Sequence, residues 1–123
     1  MPVKFRNLTR YVRDVPANAA LYRALGFEQE RSMGEDMVVL RNADGVQLVL
    51  HRWDERPVDS LDTALGFTIT GSVEEARRFV EAAGFRCLRE PEEGDAGFFF
   101  IYGDLDGNPI NLVGRPTPPA RHA

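Results

Sequence analysis

The chain carries the same succession of short motifs twice, and this repeat constrains the fold more than any other feature. A Gly-Phe pair follows a helix-like segment at 26–27 and again at 84–85. An Asp-Gly turn precedes a strand-like run at 44–45 and again at 106–107. Internal repeats of this kind define an architecture before any single motif does. Two copies are too few for a solenoid, so the repeat predicts a pseudo-symmetric pair of modules.

Both copies contain one helix with clear start and stop signals. The first helix is expected to begin at 14–16, where proline suits the first turn, and to end at Gly26. In the second copy, Ser72 and Glu75 have the spacing of a capping box, and Gly84 ends the apolar stripe.

Strands are predicted around each helix from apolar alternation and turn residues. The second copy opens on a strand around Phe67. The other predicted strands are 5–12, 28–32, 37–41, 46–53, 85–90, 97–103 and 109–113. The order is βαβββ twice, which predicts an α+β fold of two tandem modules whose curved sheets surround a concave cup. We expect one domain, with modules at about 4–53 and 63–113, a bridge at 54–62 and a tail at 114–123.

Composition and charge exclude several classes of function. The net charge is −4 and no basic cluster is present, which argues against a nucleic-acid partner. The longest apolar run, 98–102, is too short to span a bilayer, and the first residues lack the order of a signal peptide. The single cysteine, Cys87, cannot form an internal disulfide. We therefore expect a cytoplasmic protein with no membrane partner.

Strand alternation selects candidate ligand-binding residues, because each sheet has one face covered by its helix and one open face. The candidates on the open face are Asn7, Thr9, Tyr11, Gln47, Val49, His51, Trp53, Phe99, Ile101 and Asn111. Phe98, Phe100 and Tyr102, on the other face of the strand 97–103, are the alternative to Phe99 and Ile101 for the same wall of the cup. His51 is equally compatible with a surface position at a strand end, and Trp53 with a core or dimer contact. The acidic stretch 90–95 is typical of a solvated loop, and over the cup it would favour a cationic ligand.

Short motifs within the two βαβββ modules together resemble one superfamily. They are Tyr-Val-Arg-Asp-Val-Pro at 11–16, Leu-Tyr-Arg-Ala-Leu-Gly-Phe at 21–27, and Asp-Leu-Asp-Gly-Asn-Pro at 104–109. In this order they resemble the vicinal-oxygen-chelate superfamily, which includes glyoxalase I, extradiol dioxygenases, fosfomycin-resistance enzymes and bleomycin-resistance proteins. The resemblance covers nearly the whole chain and is more specific for the fold than for the function.

The resemblance also implies where a divalent metal would be held in metal-dependent members. The matching positions are Asn7, Val49, Asn111, and either Ala64 or Leu65. None of these is a usual ligand of a catalytic transition metal. We therefore expect a cup that works without a metal or other cofactor.

The leading hypothesis is a binding protein rather than an enzyme. Similarity to the bleomycin-resistance branch implies that a small molecule is sequestered in the cup, with aromatic stacking and orienting amides, in a homodimer. The alternative is a metal-independent isomerase, cyclase or lyase with His51 as the general base, since imidazole titrates near neutral pH. Metal-dependent glyoxalase or dioxygenase chemistry is the least favoured reading.

Overall fold

Each half of the chain folds into one βαβββ module in the computed structural model, which describes residues 5–55, 64–94 and 97–114. The predicted bridge and tail lie largely outside these residues. The elements are β1 (Leu8–Val12), α1 (Val15–Ala24), β2 (Glu28–Met33), β3 (Met37–Arg41), β4 (Gln47–Arg52), β5 (Leu65–Ile69), α2 (Val73–Ala83), β6 (Arg86–Gly94), β7 (Gly97–Gly103) and β8 (Pro109–Gly114). The α+β class and the tandem modules are confirmed.

The two sheets have the same topology. Their strand orders are β1-β4-β3-β2 and β5-β8-β7-β6. In each sheet the first strand of the module pairs in parallel with the last strand, and the remaining pairs are antiparallel. The internal pseudo-symmetry that the sequence repeat predicted is therefore present in the hydrogen-bonding pattern.

Both helices begin and end at the predicted signals. The Asp14 carboxylate accepts a hydrogen bond from the Ala17 amide at 2.9 Å, and Ser72 Oγ accepts one from the Glu75 amide at 3.1 Å. These side chains satisfy amides that have no partner inside the first helical turn. At the end of α2, Gly84 has a φ of 114°, which a residue with a side chain rarely adopts.

The acidic stretch at 90–95 is a strand for most of its length, not the solvated loop that its composition suggested. Strand β6 extends to Gly94 and pairs with β7 through two register shifts, between Cys87 and Arg89 and between Arg89 and Glu92. Pairing with a neighbouring strand overrides the low strand propensity of Pro and Glu here.

The inner faces of both sheets pack around the two helices in one hydrophobic core. Leu48 and Leu50 of β4 and Phe100 and Ile110 of the second sheet are all fully buried in it. Both inner faces share this core, and the outer face of each sheet is the one turned away from it.

A buried polar cluster joins the modules beside this core. The Tyr22 hydroxyl accepts a hydrogen bond from Arg10 Nη1 at 2.8 Å and donates one to Asp104 Oδ2 at 2.7 Å. Arg10 also donates to the Pro109 carbonyl at 2.5 Å. Asp104 Oδ1 accepts from the Asn108 amide at 2.9 Å, which closes the turn before β8. This cluster fixes β8 relative to α1 and β1.

No helix in the described ranges is long and apolar enough to cross a membrane.

Candidate ligand site on the outer face of the first sheet

Cross-strand pairing assembles one row of side chains across the outer face of the first sheet. Thr9 pairs with Val49, Val49 with Val39, and Val39 with Arg31. The centre of the row is apolar, with Val39 3% exposed, and a hydroxyl and a guanidinium lie at its two ends. A ligand on this face would thus contact an apolar floor between polar groups.

The neighbouring row is aromatic. Tyr11 pairs with His51, and the centroids of their rings are 5.8 Å apart. The Trp53 ring contacts Tyr11 edge-on, with centroids 5.3 Å apart. Tyr11 and Trp53 are 39% and 42% exposed, which is high for aromatic side chains that serve only the core. Both rings are therefore available for stacking against a ligand.

A cavity of about 260 Å³ opens over these rows. It is lined by Arg6, Asn7, Thr9, Tyr11, Arg31, Met37, Val39, Gln47, Val49 and His51. Six of the ten side chains predicted from the sequence are thus brought together, and Trp53 adjoins them through Tyr11.

His51 has one ring nitrogen committed to the backbone. Its Nδ1 lies 2.9 Å from the carbonyl oxygen of Arg52. A carbonyl oxygen can only accept, so Nδ1 carries the proton. In the neutral ring, Nε2 is then the nitrogen that can accept a proton or a hydrogen bond.

The amide side chains at the cavity are oriented by neighbours. Asn7 Nδ2 donates to Thr9 Oγ1 at 2.8 Å, and Gln47 Nε2 donates to Glu30 Oε2 at 3.0 Å. The other oxygen of Glu30 accepts from Arg41 Nε at 2.7 Å, and this hydrogen bond lowers the pKa of Glu30. Glu30 is therefore paired at the edge of the cavity and adds no unpaired negative charge to it.

The remaining three predicted residues lie on the outer face of the second sheet. Phe98 and Phe100 point into the core, so Phe99 and Ile101 occupy the opposite face. Asn111 pairs with Ile101. Within the described ranges, this cavity has no lining residue from the second sheet. Within one chain the predicted set is therefore divided between two separate faces.

Four residues of the cavity were missed by sequence reasoning: Arg6, Arg31, Met37 and Val39. Met37 and Val39 could have been found, because a hairpin turn at 42–45 brings them opposite His51 and Val49. Arg31 had no such signal. It reaches the outer face through a register shift between Gln29 and Arg31.

The residues present do not fit a catalytic metal. Val49, at the centre of the cavity floor, has no donor atom, and Leu65 packs against the core. Among the described residues no group of three or more His, Cys, Asp or Glu side chains could hold a metal ion. Among the described positions of this face that match metal ligands, Asn7 and Val49, neither carries an imidazole or a carboxylate.

A larger cavity of about 550 Å³ lies between the end of α1, β5 and α2. Of the described residues that line it, Glu75 alone is ionisable, and its carboxylate lies 3.3 Å from Ser72 Oγ at the start of α2. Because the convergent polar and aromatic groups are on the first sheet, we place the candidate site there.

Solved structures share this fold at low sequence identity. A glyoxalase/bleomycin resistance protein/dioxygenase family enzyme from Burkholderia phytofirmans has a TM-score of 0.73 and 16% identity, over 89% of this chain and 97% of that one. A fosfomycin resistance protein from Listeria monocytogenes has a TM-score of 0.72 and 18% identity, over 94% and 96%. A glyoxalase-related enzyme from Fulvimarina pelagi has a TM-score of 0.71 and 18% identity, over 96% and 92%.

A search of curated proteins returned no match. The sequence model of one family, however, matches residues 4–112, which is nearly the whole chain. This match agrees with the motifs, the repeated βαβββ topology and the structural neighbours. The chain belongs to the glyoxalase/bleomycin resistance protein/dioxygenase superfamily.

Proposed function

We propose that this protein binds a small aromatic or polyfunctional molecule without a metal and sequesters it, as bleomycin-resistance proteins do. The observation that carries the proposal is the cavity on the first sheet. It has an apolar floor of Val39 and Val49 at the position where a metal-dependent relative needs a ligand, and it has exposed Tyr11 and polar groups around that floor. Such a lining suits stacking and hydrogen bonding better than metal-assisted chemistry.

The test is binding followed by chemical recovery of the ligand. Trp53 is the only tryptophan and contacts Tyr11, so its fluorescence should report occupancy of the cavity. Natural products of the aromatic, glycopeptide and polyketide classes would be titrated and then recovered for mass spectrometry. We expect quenching by one class and recovery of the unchanged compound.

A variant that fills the cavity supplies the control. Val49→Trp would place a large ring on the floor of the cavity, whereas Phe79→Trp places it on α2, where Phe79 is 55% exposed and outside this cavity. Because both variants add a second tryptophan, thermal shift replaces fluorescence for them. Loss of binding in Phe79→Trp alone would overturn the location of the site.

We further propose that a second copy of the chain completes the cup. The outer face of the second sheet carries Phe99, Ile101 and Asn111, and none of these residues lines the cavity in one chain. Asn111 Oδ1 is buried and has no hydrogen-bond partner among the described residues, which suits a donor from a ligand or a partner. Light scattering should show that the wild type is a dimer, and Ile101→Arg should convert it to a monomer that no longer binds ligand. A monomeric protein that binds ligand at full affinity would overturn this proposal.

The geometry of His51 favours one enzymatic alternative, a metal-independent isomerase, cyclase or lyase. Nδ1 donates to the Arg52 carbonyl, so Nε2 is the basic nitrogen, as a general base requires. Tyr11 lies beside it and could polarise a carbonyl. Under this alternative the recovered compound is altered, and His51→Ala abolishes turnover. Under the binding proposal His51→Ala weakens affinity by about tenfold or less, the loss of one hydrogen bond.

A further inference from the structure

We propose that the ligand of this cavity is an organic anion, held by the guanidinium groups of Arg6 and Arg31. The inference rests on the proposed function and names the chemical class that the same site would take. It runs against the acidic pI of 5.2 and against the cationic ligand that the acidic stretch alone would favour.

Among the described residues, the charged side chains that line the cavity are of one sign. They are Arg6 and Arg31, and no described aspartate or glutamate lines it. The nearest carboxylate in the pairing pattern, Glu30, is bonded to Arg41 and Gln47. The described lining of the cavity therefore carries positive charge, although the chain carries a net charge of −4.

Neither arginine is held by a carboxylate through an ion pair in the part of the chain that the structure describes. The other exposed arginines in the strands of this sheet are paired: Arg41 with Glu30 at 2.7 Å, and Arg52 with Asp54 at 3.0 Å. Arg6 and Arg31 make no ion pair or hydrogen bond with a described residue. Guanidinium groups that border a cavity without a partner are suited to bidentate binding of a carboxylate or a phosphoryl oxyanion.

The position of Arg31 agrees with this role. It ends the row Thr9, Val49, Val39, Arg31, so an apolar body over the valines would bring an acidic group to the guanidinium. Thr9 at the other end and Gln47 beside Val49 could bond to neutral polar groups. The lining thus fits an amphipathic acid with an apolar or aromatic body.

Probes of similar shape but different charge test whether the site selects an anionic ligand. Indole-3-acetate and phenylphosphonate would be compared with the neutral indole-3-acetamide and the cationic tryptamine, by protein-observed nuclear magnetic resonance. Inorganic phosphate serves as a probe of the oxyanion alone. We expect resonances of 6–11 and 47–51 to shift with the anions, and at least tenfold weaker binding of the neutral and cationic analogues.

Variants assign the effect to the two arginines. Arg31→Gln and Arg6→Gln should each weaken binding of the anionic probes by about tenfold, and leave binding of the neutral analogue unchanged. The matched control is Arg78→Gln on α2, an exposed arginine outside the cavity. Equal binding of anionic and neutral probes, or wild-type affinity for anions in both variants, would overturn the anion assignment. If the neutral probe binds the wild type but not Val49→Trp, the proposed binding function stands even when the anion assignment fails. If no probe of any charge binds the wild type, both the binding function and the anion assignment are overturned.

Discussion

The hydroxyl of Tyr22 donates a hydrogen bond to Asp104 at 2.7 Å, and this bond joins the helix of the first module to the turn before the last strand of the second. The two residues are 82 positions apart in the chain. Arg10, itself 2% exposed, donates to the same hydroxyl. The contact therefore joins three buried polar groups in the interior, where the loss of one member removes a hydrogen bond from its neighbours.

Removal of this hydroxyl should destabilise the protein without affecting the outer faces. We expect Tyr22→Phe to lower the free energy of unfolding by about 1–3 kcal/mol, the cost of leaving buried polar groups unsatisfied. Asp104→Ala should cost more, about 3–5 kcal/mol, because it removes at once the acceptor of the Tyr22 hydroxyl and of the backbone amides of Asp106 and Asn108. Urea denaturation measures both, with Asp44→Ala in an exposed turn as the control. Equal midpoints for Asp104→Ala and Asp44→Ala would contradict the role of the cluster.

The buried phenols should make the fold sensitive to alkali. Burial raises the pKa of Tyr22 above its ordinary value of 10.0, and burial with a hydrogen bond to Glu81 raises the pKa of Tyr102 to about 12. Both groups are protonated in the folded state while the unfolded chain ionises near pH 10. Their contribution to stability is thus complete below pH 10 and is lost as the pH rises from about 10 towards 12 and beyond.

Denaturation midpoints between pH 8 and pH 11.5 measure this dependence. Tyr22→Phe should show a shallower decline than the wild type, because it lacks one of the two groups. A decline of equal steepness in both proteins would show that Tyr22 does not carry the effect.

Adjacent phenylalanines of β7 should differ sharply in their effect on stability. Phe100 is 0% exposed and packs in the core, whereas Phe99 lies on the outer face beneath the guanidinium of Arg89, 5.4 Å from its ring. We expect Phe100→Ala to cost about 3–5 kcal/mol of unfolding free energy through the cavity it creates. Phe99→Ala should cost about 1 kcal/mol, the contribution of an exposed cation–π contact. A larger loss for Phe99→Ala would mean that the strand faces are reversed.

Chelation should leave this protein unchanged. A metal that binds the folded state raises the midpoint of thermal unfolding, and its removal lowers it. Because the cavity floor is Val49 and the described residues form no cluster of metal ligands, we expect no stoichiometric metal by elemental analysis and no shift with EDTA, Zn²⁺, Mn²⁺ or Ni²⁺. A midpoint that rises with one metal and is reversed by EDTA would refute metal independence.

Much of the architecture could be predicted because its signals are local. Asp14 and Ser72 cap the helices by bonding to amides three residues ahead, which a sequence motif specifies directly. The sequence pattern of 46–53 placed Gln47, Val49 and His51 on one face, because successive side chains of a regular strand point to opposite faces of the sheet. Local signals failed for the acidic residues of β6, which form a strand because β7 pairs with them.

The sequence by itself determined the repeat, the two helices and most of the strands, since these depend on residues that are close in the chain. Only the tertiary structure decided which groups share the site. Regular pairing after Gln29 and Leu40 would place Arg31 opposite Val38, whose side chain is in the core. The bulge at Glu30 instead pairs Arg31 with Val39 and turns its guanidinium to the cavity. A shift of one residue reverses the face of every following side chain, and it depends on cross-strand contacts that no local pattern records.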